Sequence, residues 1–221
     1  MVLPLPQKAE PGPMETPMDY RILVAGLTRL QDAALAIELG ATDLGCEMIP
    51  ESPRCVTPER AKEIFQVAGP STGKFLLFRS SPAEAVIAAA TAADVKNVMM
   101  SAGFEIEAEA CEAAGLKVFR VHEVLSGTNM LPPVFPEPSK KQPVVLTVSM
   151  TAHELTFPWE LLGNDAPEYA FIGGAVRPEN VCALLTHHPY GILVNSGVEQ
   201  EAGIKDPDRL ALLFDALENG F

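Results

Sequence analysis

The stretch Asn97-Val98-Met99-Met100-Ser101, the segment Glu105 to Ala114, and the run Val118-Phe119-Arg120-Val121-His122 decide the fold when read together. A short apolar run gives way to a segment of helical period, and a second short apolar run follows it. Nearly continuous apolar runs are what strands covered on both faces look like, and parallel strands joined by a crossover helix are covered in that way. The stretch therefore predicts one strand-helix-strand unit.

Outward from that unit the alternation continues in both directions. Apolar runs at residues 21–24, 44–48, 75–79, 144–148, 170–172 and 192–195 bring the expected strands to eight. Helical period is expected over residues 30–39, 58–68, 82–92, 105–114, 159–162, 178–186 and 207–217. Thr28 with Gln31 reads as a capping box, and Pro58 and Pro178 suit a first helical turn, where a missing N–H costs nothing. The expected fold class is α/β, a (β/α)8 TIM barrel formed as a single domain by residues 20–221. A chain of 221 residues with 48% hydrophobic content buries one sizeable core and lies near the lower length limit for such a barrel. An open doubly wound sheet is the competing architecture, but it normally needs fewer strands, and no G-x-G-x-x-G follows the first strand.

Prolines mark two exceptions. Pro4, Pro6, Pro11, Pro13 and Pro17 deny residues 1–19 both helix and central-strand pairing, so a disordered leader is expected there. Pro132, Pro133, Pro136 and Pro138 fall within residues 126–142, where a loop is expected to replace the fifth crossover helix.

A net charge of -13 argues against nucleic acid or an anionic membrane as partner, since both would be repelled at long range. An anionic ligand would have to be held by a few arginines and backbone N–H groups. Cys46, Cys55, Cys111 and Cys182 show no C-x-x-C spacing and no nearby histidine partner, so reduced thiols are expected and no metal site. No apolar run is long enough to span a bilayer and residues 1–19 lack the pattern of a signal peptide, which makes a cytoplasmic location the expectation.

Four ordered segments carry a resemblance. They are the stretch from Val24-Ala25-Gly26-Leu27-Thr28 to Leu44-Gly45; Ser52-Pro53-Arg54-Cys55-Val56-Thr57-Pro58-Glu59; Gly173-Gly174-Ala175-Val176-Arg177-Pro178-Glu179-Asn180-Val181; and Asn195-Ser196-Gly197-Val198-Glu199 with Gly203-Ile204-Lys205-Asp206-Pro207. In that order and spacing the chain resembles the phosphoribosylanthranilate isomerases from residue 21 to its end. The resemblance implies a phosphorylated small-molecule ligand, no cofactor, and a place in tryptophan biosynthesis. It implies that Gly173, Gly174, Ser196 and Gly197 hold the phosphate, where the absence of a Cβ lets backbone N–H groups approach the anion. It also implies that Arg54 holds a carboxylate through its planar, bidentate guanidinium.

The chain departs from the family where the chemistry is done. In the family's Amadori rearrangement an acid protonates the furanose ring oxygen and a base removes the proton from C2, so each step needs a titratable group within reach of the sugar. The base is a cysteine of K-I-C-G on the first strand, and the acid is an aspartate at the end of the sixth. Ala25 stands at the first position here and Thr147 at the second, with no carboxylate anywhere in residues 144–152. Leu193 stands for the aspartate of D-V-S-S-G and Ser101 for the histidine of Q-L-H-G, and the G-G-T-G-x-T loop after the sixth strand is missing.

Other ionisable groups crowd the strand ends: Cys46, Glu47, Arg79, Arg120, His122 and Glu123. Glu47 and His122 are the acid/base candidates among them, although alternate strand residues point into the helix layer and each has even odds of facing away. Three functions remain open on the sequence. The barrel binds a phosphorylated sugar or related anion with the parent chemistry lost or changed; it is a non-catalytic binding or interaction protein; or it is an isomerase of the parent type using substitute residues.

Overall fold

The computed structural model describes residues 20–124, 144–148, 159–162 and 170–219. Eight parallel strands close into one barrel, each beside the next in chain order and the eighth against the first. They are β1 (Arg21–Val24), β2 (Asp43–Glu47), β3 (Gly73–Leu77), β4 (Asn97–Ser101), β5 (Lys117–Val124), β6 (Val144–Val148), β7 (Ala170–Ile172) and β8 (Gly191–Val194). Outside them run α1 (Leu30–Glu38), α2 (Pro58–Ile64), α3 (Ala83–Ala93), α4 (Glu105–Ala113), α5 (Val181–Leu185) and α6 (Pro207–Asn219). This is the (β/α)8 architecture that the alternation of apolar runs implies. The leader expected over residues 1–19 and the loop expected over 126–142 lie outside the described residues.

Strand alternation divides the apolar residues into two cores. Ile22, Val24, Leu44, Cys46, Leu76 and Val98 face the helices, while Leu23, Ala25, Phe75, Met99, Phe119, Val145 and Phe171 fill the barrel interior. The strand register stacks the interior side chains in layers drawn from alternate strands. Leu23, Phe75, Phe119 and Phe171 form one layer; Gly45, Met99, Val145 and Leu193 lie above it. Next come Ala25, Leu77, Val121 and Gly173, and the rim is Glu47, Ser101, Thr147 and Asn195. Edge-to-face contacts lock the aromatic layer, with ring centroids 4.9 Å apart for Phe75 and Phe119 and 6.2 Å for Phe75 and Phe171. At the opposite end Arg21 donates from Nε to Asp43 Oδ2 at 2.8 Å, and Asp43 is fully buried.

Two local expectations are corrected. Thr28 does not cap α1, whose N-cap is Arg29 without a side-chain bond; its hydroxyl donates instead to the Gly203 carbonyl. Pro58 does open α2, with Thr57 accepting from Arg60 N at 3.2 Å, but Pro178 lies in a turn ahead of α5, which begins at Val181. A tertiary bond won over the local capping pattern in the first case, and Asn180, accepting from Arg177 N at 2.7 Å, organises the turn in the second. A short hairpin of β9 (Glu199–Glu201) and β10 (Ile204–Lys205), absent from the sequence reading, folds Lys205 back against β8. No helix among the described residues is long and apolar enough to cross a membrane.

Candidate functional site

The C-terminal ends of the strands form the mouth, where barrels of this kind place their chemistry. Its floor is apolar: Ala25, Leu77, Val121 and Gly173 over Leu193. Ala25 is fully buried, and a Cβ on Gly45 would lie only 3.2 Å from its methyl group. Thr147 stands at the rim beside Gly173, whose added Cβ would lie 3.4 Å from Thr147 Oγ1.

Above Ala25 runs a buried polar network. Glu47 is 2% exposed; it accepts from Ser52 Oγ at 2.5 Å on one oxygen and from Asn195 Nδ2 at 2.9 Å on the other. Lys205 Nζ, fully buried, donates to Asn195 O at 3.1 Å and to Glu199 Oε1 at 2.9 Å. Glu199 in turn holds Arg54, whose Nη2 donates to Oε2 at 2.6 Å and whose Nε donates to Oε1 at 3.0 Å. Asp32 completes the set, accepting from Lys205 N at 3.1 Å and from both ends of the Arg29 fork. Burial works to raise the Glu199 carboxyl, but its bonds to Arg54 and Lys205 outweigh that and hold it below the usual carboxylate range. Burial pushes the Lys205 ammonium down despite the attraction of Glu199. Gly26 is required where this network crosses the first loop: its φ is 68°, and a Cβ there would lie 2.2 Å from Asn195 Oδ1 and 2.8 Å from Arg54 Cδ.

On the β7–β8 side two glycine-bearing loops meet. A Cβ on Gly197 would fall 1.8 Å from the Val176 carbonyl oxygen, so the loop after β8 packs directly on the backbone of the loop after β7. Gly174 is left-handed with φ 90°, and Ala175 follows it at φ 54°. Ser196 is exposed at the start of a 3-10 helix over Ser196–Val198, and Arg209 Nε donates to Gly197 O at 3.3 Å.

The site residues expected from sequence are thus brought together unevenly. Gly173, Gly174, Ser196 and Gly197 share one side of the mouth. Glu47 is on the inward face of β2, but both its oxygens are engaged. His122 is not with them: Val118 and Val124 on the same parity of β5 pack toward the helices, and Arg120 between them bonds Glu105 and Glu112 of α4. On that parity His122 turns to the helix layer, away from Glu47. Burial also lowers the His122 imidazole from its ordinary value. Lys205, Glu199 and Asn195 were not singled out by the sequence reading; the opposite charges of Glu199 and Lys205 within one short segment were the available signal.

The model of the family N-(5'phosphoribosyl)anthranilate (PRA) isomerase matches residues 22–216. The chain belongs to this family. PRA isomerases similar to it include that of Geobacter sulfurreducens, 32% identical over 198 residues covering 86% of this chain and 94% of the relative. That of Dechloromonas aromatica is 29% identical over 203 residues, covering 90% and 97%. The PRA isomerase structure from Thermus thermophilus superposes with TM-score 0.76 at 28% identity, covering 90% of this chain and 98% of that one. A further PRA isomerase structure, a complex with reduced 1-(o-carboxyphenylamino)-1-deoxyribulose 5-phosphate, shares the fold with TM-score 0.72 at 23% identity, covering 90% and 98%. Within this PRA isomerase barrel, Ala25 is fully buried in the floor of the mouth and Thr147 stands at its rim.

Proposed function

We propose that this member of the PRA isomerase family binds a phosphorylated, carboxylate-bearing sugar derivative and has lost or changed the parent Amadori chemistry. The phosphate lies against Gly173, Gly174, Ser196 and Gly197, where two glycine-bearing loops meet, Ser196 is exposed and no Cβ on the glycines blocks an anion. The observation that carries the loss is Ala25. A methyl group buried in the floor of the mouth has no proton to give or take, and a threonine hydroxyl at the acid position is too weak an acid near neutral pH. Ligand binding alone does not replace them, because interactions equal in ground and transition states leave the chemical step unaccelerated.

A second reading, an isomerase with substitute groups, is favoured by Glu47, which stands on the inward face one layer above Ala25. To act as a base it would first have to release Asn195 or Ser52. The folded unit is a single barrel domain in the cytoplasm, and its charge of -13 disfavours nucleic acid. The direct test is to purify the barrel and identify by mass spectrometry the small molecule that comes with it. A phosphorylated acid supports the reading; a ligand with no anionic group overturns it.

A further inference from the structure

The outer face of α3 and α4, which pack side by side, departs from the acidic surface that a net charge of -13 leads one to expect. Val86, Ala90 and Ala93 turn α3 toward the core, and Ala108 and Cys111 do the same for α4. Helical spacing then puts Ala88 and Thr91 on the outermost ridge of α3, and Ile106, Ala110 and Ala113 on that of α4. Each of these is exposed. Glu84 is the only charged residue of α3, and the Thr91 hydroxyl stays within the helix, donating to Ile87 O at 2.8 Å. Glu107 and Glu109 flank the α4 ridge. Ile106 is 82% exposed, more than any other large apolar side chain among the described residues. An apolar side chain standing that far out, on two helices with alanine at the middle of each ridge, marks a contact surface.

The charges on this face separate by end. Both helices start at the mouth, where Glu84 and Glu105 stand, and finish at the opposite end of the barrel, where Lys96 precedes β4 and Lys117 opens β5. Lys96 and Lys117 are exposed and adjacent, Lys117 N donating to Lys96 O at 2.8 Å, and with Lys74 they outnumber Asp94 at that end. Among the described residues Glu84, Lys96 and Lys117 have no ion-pair partner, while Glu105 meets Arg120 with its side chain still 53% exposed. A face that is acidic at one end, basic at the other and apolar between is complementary to itself turned end for end.

We propose that the outer face of α3 and α4 is a two-fold interface for a second copy of this chain, with the helices of the two copies antiparallel. A two-fold contact is isologous, and in this orientation each helix lies on its own counterpart. Ala88 and Ala110, near the middle of their helices, meet the partner's Ala88 and the partner's Ala110, and side chains that small let the helices approach closely. Ile106 then falls on the partner's Ala113, Glu84 comes beside the partner's Lys96, and Glu105 beside the partner's Lys117. A parallel arrangement would set glutamate against glutamate and lysine against lysine, which costs association. Over the rest of the surface the net charge of -13 repels a copy. Both mouths stay open, because the ridges run along the outside of the barrel.

Sedimentation velocity of the full chain, run from about 1 to 100 μM, tests it, since a small two-helix interface is expected to dimerise reversibly in that range. Ile106→Glu should weaken dimerisation by about tenfold or more, and Glu84→Lys and Lys96→Glu by a few fold each. The double variant Glu84→Lys with Lys96→Glu rebuilds the pair across the axis with its signs exchanged, and it should regain wild-type association. Because all these positions are exposed, the circular dichroism of each variant should match the wild type. A wild type that stays monomeric at the top of the range overturns the interface. A dimer that survives Ile106→Glu lies on another face and overturns it too. Single charge variants that leave the dimer unchanged or strengthen it, or that weaken it without recovery in the double variant, overturn the antiparallel arrangement.

Discussion

Asn195 Nδ2 donates to Glu47 Oε1 at 2.9 Å, tying β8 to β2 over the end of the strand between them, which carries Ala25. Ala25, a methyl group with nothing to titrate, therefore lies under a polar strap. Lys205 and Ser52 hold the two ends of the strap, so neither residue is free to turn toward a sugar without breaking a buried bond.

The first prediction is catalytic. Purified wild-type protein should not convert phosphoribosylanthranilate at a rate useful to a cell, since general acid and general base groups contribute about a hundred to ten thousand fold each. Turnover assays, together with rescue of a tryptophan-requiring strain lacking the isomerase, check this. Robust turnover would reject it, and loss of that turnover in Glu47→Gln would then assign the base.

Restoring the family groups should help little. Ala25→Cys adds a heavy atom to a floor already in contact with Gly45, and such overpacking costs about 1–3 kcal/mol. The double variant Ala25→Cys with Thr147→Asp is expected to melt below the wild type and to reach at most trace turnover. Family-level activity in that variant would show that only these two side chains had been lost.

The strap is also a stability element. Lys205→Met leaves Glu199 and Asn195 without their buried partner, and breaking such a pair costs about 3–5 kcal/mol. Urea denaturation of the two proteins at neutral pH measures the difference. A change below 1 kcal/mol, roughly the size of an exposed ion pair, would contradict the network described here.

Glu199 gives this network a pH dependence. Its native pKa is depressed, so the unfolded chain takes up its proton first as the pH falls. The stabilisation is complete above the ordinary glutamate value of about 4.3 and is lost as the pH drops through the lower native value. Wild type should thus exceed Glu199→Gln in stability at neutral pH, and the gap should close in the acid range. A gap that persists unchanged at low pH would mean that the charge on Glu199 is not what matters.

The glycine loops supply a fifth check. Gly197→Ala drives a Cβ into the Val176 carbonyl and must separate the loops after β7 and β8. Protection of the protein by inorganic phosphate against thermal unfolding is expected to vanish, while the circular dichroism of the barrel persists. Full phosphate protection in the variant would move the anion site elsewhere.

The sequence by itself determined the barrel, because short apolar runs alternating with helical segments admit few other closed arrangements and the expected strand positions match the eight observed. It also carried the resemblance to the family to which the chain belongs. Which strand-end groups face the mouth was decided only by the tertiary structure. His122 and Glu123 are neighbours in the chain, yet a strand turns successive side chains to opposite faces, so the closed register sends one to the helices and leaves the other beside Thr147. The same holds for the strap: Glu47 and Asn195 are 148 residues apart, and nothing in either local segment announces a bond that exists because β8 closes against β1.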